Sequence, residues 1–302
     1  MVRLLGIGDN TVDIYLTEGM QYPGGNAVNV AVQARRVGAQ TSYLGCVGND
    51  ALGELVYGSL VAEGVDVSRV RRIDGPNPWS RIRHDGADRV FDGSNPGVRG
   101  RYGLTPDDDA FIAAHDIVHT SVHSDLDTEI ERIRRTARMV SYDYSEHWQR
   151  PGVAATMRHV DIAFLSSPRG EDADCVELMR WCAGQGARIV VATRGARGAC
   201  VLMQGRIVAQ PVLETTVVDT LGAGDGFIAG FLVAYGQGLG AEECLQRGVV
   251  HAASVCGFKG AFGHGVPIVP GQPGLDPRQI VRRPGTFDGA ARDQATTQGA
   301  QR

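Results

Sequence analysis

Four consecutive residues, Gly222, Ala223, Gly224 and Asp225, sit in the run VVDTLGAGDGFIAGF, where a small, flexible turn leads into an apolar segment. Val217 and Val218 read as the end of a buried strand, and the spacing of Phe227, Phe231 and Ala234 predicts the inner stripe of a helix starting near Ala223. Glycines at 222 and 224 let the backbone approach a ligand closely, so the free N–H groups of the helix's first turn can point at one anion. A carboxylate in an anion site would repel phosphate; Asp225 makes sense if something must be deprotonated beside that phosphate. The chemistry on offer is phosphoryl transfer, with the amides of Gly222 to Asp225 holding the developing charge while Asp225 takes a proton from an attacking hydroxyl. A plain glycine-rich strand-to-helix turn capped by an acid has the same spacing, and spacing alone does not separate the two. A P-loop is not expected, because no G-x-x-x-x-G-K-[ST] run occurs.

A second stretch, PGGNAVNVAVQARRVG, places Gly24 and Gly25 before a helix whose apolar face is Ala27, Val30, Ala31, Ala34 and Val37. Asn26 reads as the cap of that helix and Asn29 as a hydrogen-bond partner for the hydroxyls of a polyol. His119 and His123, four apart on an apparent strand, share a face there; without a carboxylate or Cys at ligand spacing they point to packing or a substrate hydrogen bond rather than to zinc.

The elements that must position these residues are legible as alternation. Strand-like runs RLLGIG, DIVHTSV, MVSYDY, DIAFL and RIVVAT alternate with helix-like segments at 26–37, 51–63 and 171–183, which predicts an α/β fold with a parallel sheet flanked by helices. Two excursions, 11–24 and 79–103, the second containing the hairpin-like SRIRHDGADRVF, predict a small β lid able to exclude water from a reactive site. The chain of 302 residues with 43% hydrophobic content suits one large domain, taken as residues 1–265, and the Pro/Gly-rich stretch 266–302 reads as a disordered tail. A net charge of −4 gives no electrostatic reason to expect nucleic acid or an anionic membrane surface as partner. Six scattered cysteines without a C-x-x-C pair, a short N-terminal apolar run and no membrane-length segment place the protein in the cytoplasm as an expectation.

GGNAVNVA near the N-terminus and DTLGAGDGFIAG near the C-terminus together resemble the two signatures of the PfkB, or ribokinase-like, carbohydrate kinases, and the resemblance spans nearly the whole chain before the tail. It implies a three-layer fold: a central, mostly parallel sheet with helices on both faces and a β-sheet lid. It also implies ATP and Mg²⁺ as cofactors, Asp225 as catalytic base, and Gly222, Ala223 and Gly224 as the anion hole. Asp13 matches the family's early sugar-binding aspartate, Asn29 its sugar-binding asparagine, and Gly25 lies in the same substrate signature. TRGARG resembles the nucleotide turn, which assigns Thr193, Gly195 and Gly198 to ATP. Asp219 matches an acid near a monovalent-cation site, so K⁺ enters as a further cofactor. Lid strands in this family often pair between subunits, implying a homodimer through the lid.

Three departures stand out. Ser166 to Arg169 replace the Asn-x-x-Glu motif, leaving Glu171 as a candidate Mg²⁺ helper; Asp143, Ser145 and His147 replace Asp-x-Asn-x-Arg; and Gly226 replaces a commoner Ser or Ala at a position expected to point along the helix. Within the family, GDNTVDIY, HDGADRVF, HDIVH, YDYSEHW and DIAFLSSP are similar to the branch acting on ketosamines such as fructoselysine. A ketosamine has a sugar end, a secondary ammonium and a carboxylate, for which Arg81, Arg83, Arg89 and Arg101 are candidate partners, Arg81 and Arg83 sharing one strand face. His123 joins them at the substrate site, and Trp79 either walls the pocket or packs the lid. The competing expectations are a kinase for a plain sugar, sugar acid or nucleoside, and a catalytically silent sugar-binding protein of the same fold. A dinucleotide oxidoreductase is disfavoured, because GIGDNT has Thr11 where the third glycine of G-x-G-x-x-G belongs.

Overall fold

Strands covered on both faces carry unbroken apolar runs, and the centre of this molecule is built from them. The computed structural model describes residues 1–85, 88–167 and 171–281, with side chains throughout that range except at 84, 85 and 88–91. In chain order its strands are β1 (Arg3–Gly8), β2 (Thr11–Tyr15), β3 (Met20–Gly24), β4 (Gln40–Gly48), β5 (Arg71–Ile73), β6 (Trp79–Asp85), β7 (Asp88–Asn95), β8 (Ile117–Ser121), β9 (Val140–Asp143), β10 (Ile162–Ser166), β11 (Ile189–Thr193), β12 (Ala199–Met203), β13 (Arg206–Gln210) and β14 (Val266–Pro267). Its helices are α1 (Asn26–Arg36), α2 (Ala51–Ala62), α3 (Pro106–Ala113), α4 (Ile130–Thr136), α5 (Val153–Met157), α6 (Asp172–Gly184), α7 (Ala223–Gly236) and α8 (Ala241–Val255).

The larger sheet runs β13-β12-β11-β10-β9-β8-β1-β4-β5, parallel except for the β11-β12-β13 meander. Alternate residues of one strand feed two cores: Val190 and Ala192 join a cluster with Ile112, Ile133, Met157 and Met179 from α3 to α6, whereas Ile189 and Val191 join Val30, Phe227, Phe231 and Leu245 from α1, α7 and α8. That makes three layers. Helices α7 and α8 are pressed together through small residues. An added Cβ would lie 2.6 Å from the Arg247 carbonyl oxygen at Gly230 and 2.6 Å from Val255 Cγ2 at Gly226. Position 226 therefore faces α8, against the expectation that it points harmlessly along the helix; a side chain there requires α8 to give way.

The lid is a five-stranded sheet, β14-β3-β2-β6-β7. Asp13 and Tyr15 alternate with Val12 and Ile14 along β2, so the two pairs belong to opposite faces. The inner face reaches toward α7: the Tyr15 hydroxyl donates to Asp219 at 2.6 Å. The outer face is covered by the chain's own segment 268–281. Gly274 packs against Ile14 and Trp79, Gly93 leaves room for Ile280, and the Gln272 amide donates to Gln21 at 2.6 Å.

Three expectations are corrected by this arrangement. Residues 266–281 are not a structureless tail: β14 pairs with β3, and the segment after it straps the lid; 282–302 lie outside the described residues. Val217 and Val218 do not end a buried strand, since β13 stops at Gln210 and the two valines are 58% and 47% exposed. His123 lies beyond the end of β8 and is exposed, while His119 is buried within it. At the two edges of the lid, β14 lines β3 and the Val281 N–H donates to the Ser94 carbonyl of β7 at 2.9 Å.

Candidate active site

Carboxyl ends of parallel strands are where open α/β sheets gather ligand-facing residues. Here Asp9 follows β1, Asp143 ends β9, and both converge on the start of α1 and α7. Gly25, the residue before α1, has φ 106° and packs so closely on Asn10 that a Cβ would sit 2.5 Å from Asn10 Cα. A glycine cannot cap a helix with its side chain, and Asp9 does so from a distance. Its carboxylate accepts the N–H groups of Asn26 at 2.7 Å and Ala27 at 3.3 Å, together with the hydroxyls of Ser121 at 3.1 Å and Ser124 at 2.8 Å. Burial works to raise the Asp9 carboxyl, but the charges of His123 and Arg99 and these hydrogen bonds hold it below the ordinary range.

Freed from capping, Asn26 does something the sequence did not suggest. Its Nδ2 donates both to Asp225 Oδ1 at 2.7 Å and to Asp143 Oδ2 at 2.9 Å, bridging two carboxylates. Asn29, one turn on, donates to Asp225 Oδ2 at 2.6 Å. Its own Oδ1 is buried without a partner among the described residues, an acceptor suited to a hydroxyl donor. Desolvation raises Asp225 to about 8, the Asp143 and Asp9 charges adding to it and the Asn29 and Asn26 amides opposing it. Desolvation likewise raises Asp143 to about 6, with Asp9 adding and the Ser145 N–H and Asn26 opposing. A carboxyl poised near neutrality is a better proton acceptor than an ordinary aspartate.

The turn before Asp225 depends on its glycines. Gly222 has φ 77°, and a Cβ there would lie 2.5 Å from that of Ala261, so the turn needs glycine. The Ala223 N–H is bonded to the Thr220 carbonyl at 3.2 Å, while those of Gly222, Gly224 and Asp225 find no partner among the described residues. Space above Gly224 is open, with nothing within 4 Å of a built Cβ. Of the residues expected to form the anion hole, only Ala223 has its N–H engaged within the turn. Asp219 ties this turn down, accepting from Tyr15, from the Leu221 N–H at 2.9 Å and from the Gly260 N–H at 3.1 Å.

The remaining sequence candidates divide. Asp13 is buried on the lid's inner face beside Gly24, whose missing side chain makes room for its carboxylate. Thr193 ends β11 with its hydroxyl on the Leu165 carbonyl at 3.3 Å, and Gly195 and Gly198, at φ 57° and 87°, form the tight turn beyond it. His123 meets the ring of His147 edge-on at 5.6 Å near Asp9. Arg81 is buried on the outer lid face with Ile14, donating to the Asp92 carbonyl at 2.9 Å, so it points away from Asp13; Arg83 is exposed and does not share its surroundings. Arg101 bonds the Asp74 carbonyl, Trp79 packs in the lid core, and the side chain of Arg89 lies outside the described residues. Glu171 is the exposed N-cap of α6, its N–H held by Asp174 at 3.0 Å, and Arg169 lies outside the described residues. No group of three or more His, Cys, Asp or Glu able to hold a metal ion occurs among the described residues.

Sequence reasoning missed Asp9 altogether, and it named Asn26, Asp143 and His119 without their roles: the bridge, the second raised carboxyl and the imidazole behind Asn26. The available signal was position: Asp9 and Asp143 stand at the carboxyl ends of β1 and β9, which flank β8, where ligands meet α/β sheets.

Comparison with known proteins points the same way. Residues 5–266 match the pfkB family of carbohydrate kinases. The chain is 38% identical over 270 residues to a fructosamine kinase of Bacillus subtilis, covering 88% of this chain and 95% of that one. It is 33% identical over 262 residues to the fructoselysine 6-kinase of Escherichia coli, covering 87% of this chain and 100% of that one. Among solved structures, ribokinase of Arabidopsis thaliana in complex with ribose and ATP aligns with a TM-score of 0.75 at 22% identity, over 87% of this chain and 95% of that one. An Escherichia coli chain solved with ATP and Mg²⁺ aligns with a TM-score of 0.73 at 19% identity, over 87% and 95% of the two chains. These structural likenesses speak to the fold.

Proposed function

The chain belongs to the pfkB family of carbohydrate kinases and is an ATP-dependent phosphotransferase, and from that premise we propose that it phosphorylates the 6-hydroxyl of a fructosyl amino acid such as fructoselysine. The observation that carries the chemistry is the Asp225 carboxylate, raised to about 8 and held by two amides at the start of α7 beside an open turn. Identity to two ketosamine kinases over most of the chain carries the acceptor.

In this reading Asn29 Oδ1 accepts a sugar hydroxyl, Asp13 takes others from the lid side, and Asp225 removes the proton of the attacking hydroxyl. The amides of Gly222, Gly224 and Asp225 steady the phosphoryl oxygens. The open space at Gly224 and the first turn of α7 suit a phosphate, and the Thr193 to Gly198 turn with the exposed apolar Val212, Leu213, Val217 and Val218 suits the rest of ATP. Mg²⁺, when bound with the nucleotide, supplies charge neutralisation on the phosphates. Glu171 fits a helix cap better than a metal ligand, and K⁺ near Asp219 would have to share a carboxylate already accepting three hydrogen bonds. With Arg81 turned away, His123 beside His147 is assigned to the polar end of the substrate. No helix of the described residues is long and apolar enough to cross a membrane, and six free cysteines are in keeping with a cytoplasmic setting.

ADP release from the purified chain with ATP, Mg²⁺ and a panel of fructoselysine, other fructosyl amino acids, fructose, ribose and nucleosides tests this. Selective turnover of a fructosyl amino acid is expected. Turnover of a plain sugar or nucleoside alone overturns the acceptor, and no ADP release with any acceptor overturns the assigned chemistry.

A further inference from the structure

Behind the carboxylates lies a buried imidazole that the phosphoryl transfer outlined above does not use. His119, in the middle of β8, has no exposure at all. Its Nε2 is 2.9 Å from Asn26 Oδ1 and its Nδ1 is 2.9 Å from Ser141 Oγ on β9. The orientation of Asn26 is fixed by what surrounds it, since an amide oxygen turned to the Asp143 carboxylate would repel it and the NH₂ group serves both acids. Its carbonyl oxygen therefore faces His119 and must accept, so Nε2 carries the proton. Nδ1 is then the acceptor, and the Ser141 hydroxyl donates to it.

We propose that His119 is a positioning residue for phosphoryl transfer, a neutral Nε2–H donor that locks the Asn26 amide with both N–H groups toward Asp143 and Asp225. Burial lowers its own pKa to about 3, so the donor does not become an imidazolium in the working range. Without that lock Asn26 is free to rotate, and its oxygen could turn toward a carboxylate. Asp225 would lose one of two donors while still facing Asp143 and, farther off, Asp9. Asp143 would lose the same amide and, among the described residues, keep the Ser145 N–H alone. Asn29 holds the far oxygen of Asp225 from α1, and His123 and Arg99 act through Asp9. Each lost donor favours the protonated carboxyl, so the pair would bind its protons more tightly and less base would be present at neutral pH.

This inference rests on the kinase reading, and the test separates the two. In kinetics with the best acceptor, His119→Leu should lower kcat/KM at neutral pH by about 10- to 100-fold, the scale of losing an orienting partner. The acid limb of its pH profile should move up by about one unit. His119→Gln, whose amide can donate from nearly the same place, should restore both, and Ser141→Ala should shift the limb in the same direction by less. An unmoved acid limb in folded His119→Leu, or a His119→Gln enzyme as impaired as the leucine variant, overturns the proposal. Independently of any activity, ¹⁵N chemical shifts of the His119 ring in the wild-type chain should report the neutral Nε2–H tautomer at pH 7. An Nδ1–H tautomer or an imidazolium overturns the proposal even if no acceptor is ever turned over, whereas an inactive wild type with the expected tautomer sinks only the kinase reading.

Discussion

Asp225 is held by two amide donors and repelled by two neighbouring aspartates, and its raised pKa of about 8 makes the site sensitive to pH in a definite direction. As a base it must be deprotonated, so kcat/KM of the free enzyme should climb as pH rises through about 8. Asp225→Asn should lower kcat by about 10²- to 10⁴-fold with little loss of ATP affinity, and steady-state kinetics with ATP titration would show it. Near-normal kcat in that variant would remove Asp225 from the role of base. Stability runs the other way. A carboxyl whose folded pKa exceeds its unfolded value contributes stability that is full below about pH 4 and is lost as pH rises through about 8. Asparagine has no such slope, and the unpartnered Asn29 Oδ1 can turn to accept its NH₂. Relative to wild type, Asp225→Asn should therefore gain Tm steadily between about pH 4 and pH 8, measurable by thermal melts across that range. At this scale the sequence announced Asp225 and Asn29 through their motifs. It concealed Asn26, because a helix-initial asparagine reads as a cap until the fold brings Asp9 to that duty.

The turn between Gly222 and Asp225 separates shape from chemistry by two glycines. Gly222→Ala puts a Cβ on a left-handed residue and against Ala261, a strain of about 1–3 kcal/mol, and should lower Tm along with activity. Gly224→Ala meets nothing within 4 Å and sits in helical backbone, where alanine is favoured over glycine by roughly 0.5–1 kcal/mol. Its Tm should rise or hold while kcat falls and KM for ATP rises, because the methyl occupies the space assigned to phosphate. Full activity in Gly224→Ala would show that the anion sits elsewhere. Elements of the central sheet were legible because burial on both faces leaves an unmistakable apolar run, as in Ile189–Thr193. The segment after Gln210 was not, since Val217 and Val218 have strand-forming side chains on a backbone whose anchor is the Cys256 carbonyl of another element.

Across the whole molecule, the least legible feature was the fate of residues 266–281, whose composition carries no period and whose order comes from what they cover. Leu275 and Ile280 pack on the cluster containing Ile14 and Trp79, and the Asn95 amide donates to the Gln279 carbonyl at 2.6 Å. The strap thus buries, within one chain, the outer face of a lid whose inner face carries Asp13 and the Tyr15 link to Asp219. Two consequences follow from one geometry. Uncovering Ile14 and Trp79 would leave a contiguous apolar patch on a sheet, which favours association with a second copy. It would also loosen the strand that positions Asp13, weakening sugar binding more than the proton transfer at Asp225. A chain ending at Pro267 should therefore run as a larger species in light scattering than the full chain does. Its KM for the sugar should rise several-fold, and the pH profile of kcat should stay in place. A full-length chain that is already a dimer, and stays one when Ile280→Asp lifts the strap, would mean that the subunits meet through some other surface and that the lid is closed by the strap alone.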